Sequence, residues 1–66
     1  MENAVKWNVK ALAASRKQTI KELAIEAGID PQHLAYVSIG RVKMSTDDLL
    51  RLAKTTGVSP FEIQTN

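Results

Sequence analysis

From Thr19 to Gly40 the chain reads TIKELAIEAGIDPQHLAYVSIG without a break, and this stretch constrains the fold more than any other. Thr19 can cap the amide of Glu22 while Glu22 reaches back to the amide of Thr19, the reciprocal pairing of a capping box, so a helix is predicted to begin at Ile20. Ile20, Leu23, Ala24 and Ala27 fall at i, i+3, i+4 and i+7, one face of a 3.6-residue period. Gly28 then supplies the left-handed conformation that ends many helices. Asp30 is a good N-cap, and Pro31 fits the first helical position, where its missing amide costs nothing. A second helix is therefore predicted from Pro31 to Val37 or Ser38, with Leu34 and Val37 facing inward.

Two short helices joined by a tight turn form the layout of a helix-turn-helix, whose second helix in DNA-binding proteins enters the major groove. The outward residues of that second helix, Pro31, Gln32, His33, Ala35 and Tyr36, include no acid. Glutamine can bond bidentately to adenine, tyrosine and histidine can donate to bases or phosphates, and alanine can sit against a thymine methyl group. The competing reading of the same residues is ordinary solvated surface.

The rest of the chain carries similar punctuation. Helix one is predicted to start near Asn3 or Ala4, with Val5, Val9, Leu12 and Ala13 on one face and Trp7 partly buried beside them, before Ser15-Arg16-Lys17-Gln18 breaks it. Helix four follows Ser45, whose partner Asp48 gives a weaker version of the capping box, and Leu49, Leu50, Leu52 and Ala53 form its predicted core face up to Gly57. Ser59-Pro60-Phe61-Glu62 repeats the start signal, so a last short helix is predicted. Met44 is read as a loop anchor or part of a contact surface. The expected fold is all-α, a compact bundle of five short helices in a single domain over residues 1–66. Sixty-six residues bury only about 60% of the unfolded surface, so the core is thin and dimerisation would add stability.

Nine Lys and Arg against seven Asp and Glu leave a net charge of +2, too little by itself to identify a nucleic-acid binder. Placement says more. Lys6, Lys10, Arg16, Lys17 and Lys21 lie in the first third, and Arg41 and Lys43 bracket the exit from the second motif helix. Lys17 and Lys21 are the members of the first group placed to approach phosphates. Asp30, Asp47, Asp48 and Glu62 sit at helix N-termini, where acids favour the helix dipole. The absence of cysteine removes disulfides and thiolate sites, and no apolar run approaches the ~18 residues that span a bilayer. Met1 to Lys10 lacks the pattern of a secretory peptide. A cytoplasmic protein with no membrane association, no cofactor and no metal is expected.

Taken in order and without gaps, Lys21-Glu22-Leu23-Ala24, Ala27-Gly28-Ile29, Gly40-Arg41, and Leu49-Leu50-Arg51-Leu52-Ala53 leading to Gly57-Val58-Ser59 resemble the DNA-binding domain of the phage repressor and Cro family, the XRE-like helix-turn-helix group. The resemblance covers about Val5 to Ile63. It implies a lambda-repressor-like domain with the helix-turn-helix at helices two and three and the helix from Pro31 as recognition helix. By position it assigns base reading to Pro31, Gln32, Ala35 and Tyr36. It places His33 against phosphate or sugar, and Arg41 and Lys43 along the DNA backbone. Many relatives carry a phosphate-binding Gln where this chain has Ile20, a contact for which Gln18 or Thr19 would substitute. Pro31 stands at a position often filled by a long polar reader, the frequent Glu before the loop is Ser38, and the common Pro after it is Met44.

Catalysis is not expected. The sole histidine, His33, has no second histidine or cysteine to complete a metal site or a nucleophile pair, and Glu22 and Glu26, though on one helix face, include a residue already used as a cap. The expected function is a transcriptional regulator, a phage- or prophage-type repressor or Cro-like switch that reads a double-stranded DNA operator as a homodimer. Val58, Phe61 and Ile63 are the candidate dimer residues. The alternative is a helical protein-interaction module, partner to an antirepressor, a toxin or a polymerase subunit, with DNA binding lost.

Overall fold

Four α-helices follow one another: α1 (Val9–Ser15), α2 (Ile20–Ala27), α3 (Pro31–Ser38) and α4 (Thr46–Thr56), with a 3₁₀ turn at Pro60–Glu62 after them. The computed structural model describes residues 7–64. None of these helices exceeds 11 residues, and isolated helices below ~12–15 residues are marginal in water. Tertiary packing must hold them. Each contributes one leucine that is 0% exposed, Leu12, Leu23, Leu34 and Leu52, and each such side chain is worth about 1.5–3 kcal/mol on burial. Val9, Ala13, Ala24, Ala27, Ile29, Val37, Met44 and Ile63 complete the core, with Trp7, Ile20, Leu49, Ala53 and Val58 packed at its edge.

The helix ends are set by local chemistry. Both capping boxes are present, Thr19 with Glu22 and Ser45 with Asp48. Asp30 accepts from the amide of His33 at the start of α3, with Pro31 in the first turn. The stops of α1, α2 and α3 share one geometry: a residue at positive φ, followed by an amide that bonds back to the carbonyl five residues earlier. This is the Schellman arrangement, and it satisfies carbonyls that a helix end would otherwise leave open. At α2 and α3 the left-handed residue is Gly28 or Gly40, as a missing Cβ favours. At α1 it is Lys17, with φ 58°.

Three expectations are corrected by the packing. Helix one begins at Val9, not at Asn3 or Ala4, because Asn8 is extended and its side chain accepts from the amide of Ala11. Residues 1–6, including Val5 and Lys6, lie outside the described residues. Trp7 precedes α1 as half of an isolated parallel bridge with Ile63: its amide donates to the Glu62 carbonyl at 2.7 Å and its carbonyl accepts from the Gln64 amide at 2.7 Å. The segment after Ser59 forms a single 3₁₀ turn in place of a fifth α-helix, since the Ile63 backbone is drawn out to meet Trp7. Leu50 is 53% exposed. Leu49, Leu52 and Ala53 keep the i, i+3, i+4 spacing of the buried face, and Leu50 falls outside it.

The Cα radius of gyration is 10.9 Å, close to the ~10.8 Å of a compact domain of this length. No helix among the described residues is long and apolar enough to cross a membrane.

Candidate nucleic-acid interface

Leu34 and Val37 turn one side of α3 into the core, so the opposite side is presented outward. Gln32, Ala35, Tyr36 and Ile39 are all exposed and fall at i, i+3, i+4 and i+7, a continuous stripe along that outer face. No acid lies within the helix. Gln32 Nε2 donates to the Tyr36 hydroxyl at 3.0 Å, and the guanidinium of Arg41 lies 5.4 Å from the Tyr36 ring centroid. The predicted readers Gln32 and Tyr36 are thus in contact, with Ala35 between them on the same stripe. Pro31 is half-buried at the head of the helix. Ile39 was not among the predicted readers; its place seven residues after Gln32 and its 65% exposure put it on the same stripe.

A link between helix starts fixes the orientation of α3. His33 Nε2 lies 2.6 Å from Asp48 Oδ2, joining the first turn of α3 to the first turn of α4. Asp48 is 8% exposed, and the same oxygen accepts from the Ser45 amide at 3.3 Å. Burial, the largest single influence, pushes the Asp48 carboxyl up, but the hydrogen bonds from His33 and Ser45 together outweigh it and leave the pKa below the ordinary value. A carboxyl with a lowered folded pKa stabilises the fold above its unfolded pKa and loses that contribution as pH falls through the folded value. Asp48→Asn is therefore expected to be less stable than wild type at neutral pH, with the gap closing once the pH drops below the ordinary aspartate value of 3.8. Urea titrations at neutral and strongly acidic pH measure this directly. An equal gap at both would show that the charge of Asp48 is irrelevant to the fold.

The cations divide into two groups. Arg16 pairs with Glu26 at 2.9 Å and Arg51 with Asp47 at 2.8 Å, so both are engaged within the protein. Lys10, Lys17, Lys21, Arg41, Lys43 and Lys54 are exposed and form no ion pair with another described residue. Lys17 and Lys21 flank the start of α2, Thr19 caps it, and Arg41 and Lys43 follow α3. Lys17 holds its position at the cost of a left-handed backbone, which costs non-glycine residues about 1–2 kcal/mol. Lys17→Gly should relieve part of this and raise stability by roughly 0.5–1 kcal/mol after the added chain entropy of glycine. Thermal unfolding reads the effect, and a destabilised variant would show that the lysine side chain contributes more than its backbone costs.

Two of the residues expected along the DNA backbone have partners within the protein. Gln18 donates to Glu26 at 2.7 Å and accepts from Arg16 Nε at 3.1 Å, so both ends of its amide are occupied. These bonds to Gln18 and Arg16 hold the Glu26 carboxyl below its ordinary pKa. His33 is engaged with Asp48 rather than turned to solvent alone. Of the candidate dimer residues, Phe61 is 88% exposed and Val58 is partly buried against the core. Ile63 is 2% exposed and belongs to the core of the single chain, because the bridge to Trp7 pulls it inward. Comparison of the chain with family models, with curated proteins and with solved structures finds no match.

Proposed function

We propose that the protein is a sequence-specific double-stranded DNA-binding regulator of the repressor or Cro type, without catalytic activity, in which α2 and α3 act as a helix-turn-helix. The observation that carries this reading is the outer stripe of α3: exposed, free of acids, able to hydrogen-bond through Gln32 and Tyr36, and followed at once by Arg41. In this reading α3 lies in the major groove, with Gln32, Tyr36 and Ala35 toward base edges and Pro31 at the leading end. Lys17, Lys21, Arg41, Lys43 and the hydroxyl of Thr19 approach phosphates. Each phosphate contact adds about 0.9 to the log–log salt dependence of binding.

One such helix reads few base pairs, so a homodimer on half-sites about 34 Å apart is part of the proposal. The exposed ring of Phe61 supports a dimer contact near the 3₁₀ turn. The second reading is a protein-interaction module, to which the exposed apolar side chains of Phe61, Ile25 and Leu50 would supply contacts.

Selection from a randomised duplex pool at one fixed, moderate salt concentration tests the two. Enrichment of a site with two-fold symmetry is the expected result and supports a dimeric DNA reader. A pool that stays random at high protein concentration favours the interaction module.

A further inference from the structure

A glutamine amide carries two N–H donors and one carbonyl acceptor. In this protein Gln32 Nε2 spends one of those donors on the Tyr36 hydroxyl, 3.0 Å away and one helical turn along. Tyr36 is itself held from two directions. The Arg41 guanidinium sits over its ring at 5.4 Å, within cation–π range, and the Arg41 amide bonds to the Tyr36 carbonyl at 3.0 Å.

We infer that Tyr36 is a positioning residue that sets base specificity, its hydroxyl occupying one N–H of Gln32 and so directing Gln32 to adenine over guanine; this rests on the DNA-reading proposal above. In the major groove adenine offers the N7 acceptor beside the N6 donor, whereas guanine offers two acceptors, N7 and O6. An amide with one N–H engaged presents one donor and one acceptor, the complement of adenine. Against guanine the same amide can make only one hydrogen bond with its free N–H, its carbonyl finding no donor, unless it abandons the Tyr36 hydroxyl. Phenylalanine at position 36 keeps the ring and the face on which Arg41 sits but releases the second donor, so Gln32 can place both N–H groups on guanine. Tyr36 is 38% exposed, and the change removes one hydroxyl without touching the leucine core.

The test uses duplexes of the selected site that differ at a single base pair, the one whose preference disappears in Gln32→Ala. Competition titrations compare adenine with guanine there for wild type, Tyr36→Phe, Gln32→Ala and the double variant. Wild type should prefer adenine by about fivefold or more, and Tyr36→Phe should reduce the preference to about twofold or less. In the Gln32→Ala background Tyr36→Phe should change nothing at that base pair. In the DNA-free protein, NMR should show slower exchange of the Gln32 side-chain amide protons in wild type than in Tyr36→Phe. A wild-type preference for guanine, an unchanged ratio in Tyr36→Phe, an effect that persists without Gln32, or equal exchange rates would each overturn the inference while leaving DNA reading intact. A wild type that selects no site overturns both.

Discussion

Leu34→Ala is expected to cost about 2–5 kcal/mol, the range for truncating a fully buried leucine. A domain of 66 residues has a total stability of roughly 3–10 kcal/mol, so one substitution removes a large share of it. The melting temperature should fall by about 10 °C or more, at 4–8 °C per kcal/mol for a domain of this size. Leu34 is the natural choice because it is 0% exposed and anchors the helix that presents Gln32 and Tyr36. Leu50→Ala is the internal control: Leu50 is 53% exposed, and its truncation should stay within about 0.5 kcal/mol. Comparable losses in the two variants would mean that the core is not where the four-leucine arrangement puts it.

Gln32→Ala is expected to leave the fold unchanged and to cost about 1–3 kcal/mol of binding at its own base pair, a factor of roughly 5 to 150 in affinity per half-site. Gln32 is exposed and its side chain bonds to Tyr36 alone among the described residues, so folding has little to lose. The same variant should show its loss on the selected site and almost none on non-specific duplex, because affinity for arbitrary sequence comes from phosphate contacts. Gln32→Ala with full affinity and unchanged sequence preference would mean that α3 is read in a different register or does not read bases.

Much of this architecture is legible because it is local. The ends of α2 and α3 follow from residues three or four apart: Thr19 with Glu22, Asp30 with the amide of His33, and Gly28 at the turn. The inward positions Leu23, Leu34 and Leu52 follow from periodicity. The missed features depend on partners distant in sequence or on a choice between equal local signals. Val5 and Val9 extend an apolar phase across Trp7, but the Trp7 backbone bonds to Glu62 and Gln64 near the other end of the chain. Lys17 takes a left-handed conformation without the glycine that would have announced it. Leu50 and Leu49 are chemically alike, and the helix can bury one phase.

The candidate site divides in the same way. The outward face of α3 is visible in the order Gln32, Ala35, Tyr36, whereas the engagement of His33 by Asp48 and of Gln18 by Glu26 requires helices to be placed side by side. A weak signal existed for both. Asp48 and Glu26 are acids in a domain otherwise proposed to meet phosphates; Asp48, at 8% exposure, needs donors nearby to keep its charge satisfied, whereas Glu26 is exposed to water.

The bridge between Trp7 and Ile63 bears on how the chain assembles. The pairing closes a loop that includes almost every residue, and the entropy lost on closure grows with loop length, so the contact brings no return until the intervening helices have organised the path between its ends. α2, α3 and their turn involve near neighbours and are suited to early formation, with the terminal clasp added last. Trp7 is the single tryptophan of the chain. Its fluorescence therefore observes the final closure rather than the first helices, and far-ultraviolet dichroism recorded alongside would separate the beginning of folding from its end.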